Sequence, residues 1–157
     1  MDRQGSGQAG SRTLRIHRTF ACAREEVFQA WTDRDALAHW FAGDDAEALS
    51  ATVDLQVGGN YRLTVRKGLE VEAIEGVYLE VEPPERLVFT LRGDRQPVGD
   101  RADSVVTAEF SDIDAATKVV ITHTGIESEA NFAFHLRAWT AVLGRLEGML
   151  QPQEWRR

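Results

Sequence analysis

Several things this chain lacks narrow what it can be. Cys22 is the sole cysteine among 157 residues, so no intramolecular disulfide can form and nothing points to secretion. No apolar run approaches the roughly 18 residues of a transmembrane helix. Basic residues are outnumbered, 18 Lys+Arg against 25 Asp+Glu, and are scattered apart from the terminal Arg156-Arg157. A net charge of −7 without a basic stripe argues against binding nucleic acid or an anionic membrane. There is no Gly-x-Ser-x-Gly elbow, no phosphate-binding glycine loop and no His-Glu-x-x-His motif. The expectation is a cytoplasmic protein with no membrane insertion.

What is present suits one domain, a size that buries roughly 70% of the unfolded surface. Residues 1–13, rich in Gly, Gln and Ser without the apolar core of a signal peptide, read as a disordered leader. Residues 14–150 read as the domain and 151–157 as a tail. Residues 14–20 alternate apolar and polar side chains, as a half-buried strand does. Residues 24–31 place Val27, Phe28 and Trp31 on one side of a short helix. A second helix starts after Thr32 or Asp33, either of which can cap it, and turns Leu37, Trp40 and Phe41 inward.

Strand patterns follow at 49–55, 60–66, 70–82, 86–92, 104–110 and 118–124. The turns between them contain Gly58-Gly59, Lys67-Gly68 and Pro83-Pro84, with an exposed loop at 93–101. Pro83-Pro84 must interrupt the ladder, because neither residue has an N–H to donate.

The last segment, 131–150, is a helix with a seam of Phe132, Leu136, Trp139, Leu143, Leu146 and Leu150. His135, Val142 and Met149 widen that seam. Arg137, Ala141, Gly144 and Gly148 lie opposite. One long helix cannot cover both faces of a six- or seven-stranded sheet, so a curved antiparallel sheet gripping the helix is expected. Such an arrangement can enclose a ligand cavity.

The motifs Ala30-Trp31-Thr32-Asp33, Val57-Gly58-Gly59-Asn60-Tyr61, Gly76–Thr90, Thr122-His123-Thr124-Gly125 and His135-Leu136-Arg137-Ala138-Trp139 occur in that order. Together with Trp40 they resemble one branch of the START-like (SRPBCC, polyketide-cyclase-like) superfamily. That branch is named after the activator of heat-shock protein 90 ATPase, and the resemblance spans about residues 14–150. It implies an α+β helix-grip (START/Bet v-like) fold of order β-α-α-β6-α, with a mostly apolar pocket between the long helix and the sheet. One departure is Ala138, where the group usually has glycine. Another is that the eukaryotic activators carry a separate amino-terminal chaperone-binding domain, whereas about thirteen residues precede the first strand here. A chaperone role therefore does not follow from the family name.

Candidate ligand-binding residues are Trp40, Phe41, Tyr61, Tyr78, His123, His135 and Trp139. His135 and Trp139 are one helical turn apart and can offer a polar ring beside an indole. Trp40 and Phe41, beside Gly43, suit a pocket entrance, whereas large rings of this kind serve equally as plain core. His123 could face the pocket or cap the approach to the last helix. Glu70, Glu72, Glu75, Glu80 and Glu82 suggest paired carboxylates, but Glu80 and Glu82 share one strand face as a solvated charge row and none is assigned acid–base work. Cys22, near a helix start, reads as a small buried residue.

The histidines lack the compact spacing of a metal site, and no cofactor is expected. The leading function is binding of a small apolar or aromatic molecule. An alternative is a cyclase-, aromatase- or hydrolase-like enzyme using His135, His123, Tyr61 and Arg62. A third is an interaction module, a chaperone partner or a homodimer, using Trp155 and the small-residue back of the last helix.

Overall fold

The computed structural model describes residues 12–43, 46–93 and 104–150. Residues 1–11 of the expected leader, 94–101 of the expected loop and the tail 151–157 lie outside the described residues. The elements run β1 (Arg12–Phe20), α1 (Arg24–Thr32), α2 (Arg34–Trp40), β2 (Glu47–Val53), β3 (Asn60–Lys67), β4 (Glu70–Glu82), β5 (Arg86–Gly93), β6 (Ser104–Ile113), β7 (Ala116–Ile126) and α3 (Glu129–Met149). All seven strands join one antiparallel sheet in the order β1-β7-β6-β5-β4-β3-β2. This is the expected helix-grip order, a curved sheet with two short helices at one end and the long helix last.

Boundaries moved where ladder chemistry outweighed hydrophobic pattern. β1 opens at Arg12, because its first residue pairs with Ile126 and the Arg12 guanidinium donates to the Glu127 carbonyl. β2 lies two residues earlier than expected. Val53 pairs with Tyr61 and the Asp54 N–H donates to Asn60 O, which leaves Leu55 in the turn. β6 and β7 continue to a tight turn at Asp114-Ala115, so most of the stretch between the expected strands 104–110 and 118–124 is ladder.

The start of α2 is set by Asp33, whose carboxylate accepts from the Ala36 N–H at 3.0 Å. Thr32, the other candidate cap, instead donates its hydroxyl to Phe28 O. On α3 the buried stripe is Asn131, His135, Trp139, Val142, Leu143 and Leu146. Leu136, expected on the seam, is 41% exposed. The stripe advances by four residues through its first two turns, so position 136 falls on the flank.

Two features fix the sheet's shape. At Gly76 a Cβ would stand 1.9 Å from Thr90 O and 2.7 Å from a Tyr61 ring carbon. Glycine is required there, since the Tyr61 ring crosses it to donate its hydroxyl to Thr90 O at 2.7 Å. Farther along β4 the register shifts between Tyr78 and Glu80. That bulge turns Leu79 outward and lets Val81 rejoin the core side opposite Leu87.

α3 packs across β1 and β7 and against α2. Arg18 with Glu147, and the Arg145 guanidinium on His39 O, hold its second half to those neighbours. Its first half reaches over the β3–β5 part of the sheet without settling onto it.

Candidate functional site

That stand-off leaves a cleft of about 550 Å³. Its helix wall is Phe134, His135, Ala138, Trp139 and Val142, with Arg137 and Ala141 on the flanks. The sheet wall is Glu72 and Ile74 of β4 with Leu91 and Gly93 of β5, and Lys67 ends β3 at the rim. Phe41, Ala42 and Gly43 close the side after α2. Gly43 has φ +89°, a left-handed conformation that lets the chain leave α2 sharply beside Val142. Arg137 and Ala141, expected on the far side of α3, border the cleft because the gap is wider than the buried stripe.

Three of the seven candidate residues, Phe41, His135 and Trp139, line this cleft. The other four do not reach it. Trp40 is fully buried and donates its indole N–H to Ala30 O at 2.8 Å, edge-on to Trp31. Tyr61 and Tyr78 pack with Phe89 around a void of about 10 Å³, too small for an organic ligand. Burial pushes the Tyr78 hydroxyl up to about 12, so it stays protonated. These rings are core because α1 and α2 seal that end of the sheet.

His123 is completely buried behind the cleft wall. The Trp139 indole N–H donates to its Nδ1 at 3.0 Å. An indole nitrogen can only donate, so Nδ1 is unprotonated and the neutral ring carries its proton on Nε2. Nε2 then donates to Ser104 Oγ at 2.7 Å, and the Ser104 hydroxyl donates to Leu91 O at 3.2 Å. Every polar atom in this chain is used, and the chain ends by fixing the Trp139 ring.

Burial, reinforced by His135 with ring centroids 4.5 Å away, pushes the His123 pKa down to about 3. His123 is thus a positioning residue for Trp139. The other face of that indole stacks on Trp31 at 6.0 Å and 23°, so Trp139 divides solid core from hollow.

Glu72 is the functional candidate that sequence reasoning set aside. It is buried in the cleft wall and engaged by other groups of the protein. Counting back in twos from Tyr78 through Gly76 and Ile74 reaches Glu72 on the concave face. Val71, Ala73 and Val77 made the opposite face look equally apolar, which hid that signal.

The four enzyme suspects do not share one cavity. His135 lines the cleft, His123 and Tyr61 have buried hydrogen-bond partners, and Arg62 pairs with Glu75 on the outer face. Burial, then Glu26, raises the Cys22 pKa and keeps the thiol protonated. Among the described residues no group of three or more His, Cys, Asp or Glu is placed to hold a metal ion. No described helix is long and apolar enough to cross a membrane.

The model of the "Activator of Hsp90 ATPase homolog 1-like protein" family matches residues 21–151. The chain belongs to that family. It is therefore a START-like helix-grip domain of the Hsp90-ATPase-activator branch. Protein CV1439 from Chromobacterium violaceum is 26% identical, with 89% of this chain and 97% of that one covered and a TM-score of 0.80. An uncharacterised protein from Rhizobium leguminosarum is also 26% identical, with 89% and 94% covered and a TM-score of 0.77. CalU16 from Micromonospora echinospora is 25% identical, with 93% and 80% covered and a TM-score of 0.66. No curated protein matches this chain.

Proposed function

We propose that this domain binds a small, largely apolar molecule non-covalently in the cleft beneath the first half of α3. The observation that carries the reading is a hollow of about 550 Å³ walled by Phe41, Ile74, Leu91, Trp139 and Val142 into which only a few polar groups converge. That composition matches ligand pockets, where apolar area supplies affinity and one or two polar groups supply orientation. His135 and Glu72 are the orienting groups, and Trp139, held by His123, is the flat surface on which a ring or chain lies. The family's helix-grip fold supports the same reading.

Native mass spectrometry against a library of lipids and aromatic compounds tests it. Ala138→Leu serves as the blocked control, since its added carbons enter the cleft. One-to-one adducts that disappear in Ala138→Leu are expected. A library with no adduct at all removes this function.

A further inference from the structure

We infer that the cleft selects an amphipathic organic anion, an aromatic or aliphatic body carrying a single acidic head such as a carboxylate, with the head at the rim. The inference rests on the ligand-binding reading above and deepens it. Lys67 at the end of β3 and Arg137 on α3 border the cleft from opposite walls, and both are exposed. Among the described residues, neither forms an ion pair. Elsewhere on the surface Arg15 is likewise without an ion pair among the described residues, whereas five other arginines are committed. Arg18, Arg24, Arg62, Arg66 and Arg86 each hold a carboxylate. In a chain of net charge −7, two cations without an ion pair among the described residues stand at the border of this cleft, where they can meet an acidic group.

The inner wall sets the orientation. Glu72 already places a carboxyl group on that wall, so the acidic head of a ligand is best accommodated away from it, at the rim beside the two cations. The apolar body lies on Trp139, Ile74 and Leu91. Any polar group at its inner end is best a hydrogen-bond donor. The long stems of Lys67 and Arg137 let both charges swing to one acidic head while their methylenes extend the apolar wall.

Two dyes that share a ring system test this. Anilinonaphthalene sulfonate carries an acidic head, and N-phenyl-naphthylamine lacks it. Both brighten in apolar surroundings, so fluorescence titration gives each dissociation constant. The sulfonate dye is expected to bind about tenfold more tightly, the scale of two screened charge contacts. Lys67→Gln combined with Arg137→Gln should erase that advantage, weakening the sulfonate dye about tenfold more than the neutral dye. Both positions are exposed, so the fold is retained. Equal affinities for the two dyes, insensitive to the double substitution, would overturn the anion preference while leaving the cleft's binding role standing. Binding of neither dye would remove the binding role itself.

Discussion

The two ends of this sheet are built from similar residues and do opposite things. Beneath α1 and α2, Trp31, Trp40, Phe89 and Phe110 interlock, with Trp31 within 4.8–6.5 Å of the other three rings. Beneath the first half of α3, Phe41, Phe134 and Trp139 surround open space. Aromatic content alone therefore does not mark a pocket. What differs is backing. The filled end has two helices pressed onto it, whereas the hollow end is spanned by a helix anchored elsewhere, on β1, β7 and α2. Trp139 belongs to both, stacked on Trp31 by one side and open to the cleft by the other.

Truncations at the two ends should separate them most strongly. Trp31→Ala removes a fully packed ring and is expected to cost about 4 kcal/mol in urea unfolding. Phe134→Ala, at the cleft, should cost about 1 kcal/mol or less, because its ring already faces partly empty space. Equal costs would erase the distinction.

The partition between the ends should respond to pH. His123 titrates near 3 when folded and near 6.5 when unfolded, so between those values the unfolded chain binds more protons. Stability therefore falls as pH drops below 6.5, at about 1.4 kcal/mol per unit, and the loss is complete near pH 3. From pH 6.5 to 5 this group should remove about 2 kcal/mol. Unfolding of the His123→Gln variant over that interval should lack this component. An unchanged slope would show that His123 is not held neutral.

Filling the hollow should have the smallest effect on stability. Ala138→Leu is expected to shift it by no more than about 1 kcal/mol while abolishing ligand binding, since the extra volume meets space rather than neighbours. A large destabilisation would mean that the cleft is closed in solution.

Much of this architecture was legible in the chain. Alternation located the strands, turn residues separated them, and the one-turn spacing of His135 and Trp139 put both on the covered face of the last helix. The cleft was less legible, for two physical reasons. Both faces of β4 carry apolar residues, so the burial of Glu72 depends on a register that the bulge at Leu79 interrupts. Whether Trp40, Tyr61 and Tyr78 fill or line a space depends on which helices press on them, and side-chain chemistry is the same in either case. His123 was recognised as a choice between pocket and structure. In the structure its ring is fully buried behind the cleft wall and accepts the Trp139 indole N–H.

The difference between the ends can be read in one spectrum. Indole N–H resonances of the nitrogen-15-labelled protein, followed during titration with N-phenyl-naphthylamine, report Trp139 and Trp40 separately. The Trp139 signal should move together with the amides of Glu72, Ile74 and Ala138, while that of Trp40 stays in place. Saturable movement centred on Trp40, Tyr61 and Tyr78, with Trp139 unmoved, would contradict the assignment of solid and hollow ends.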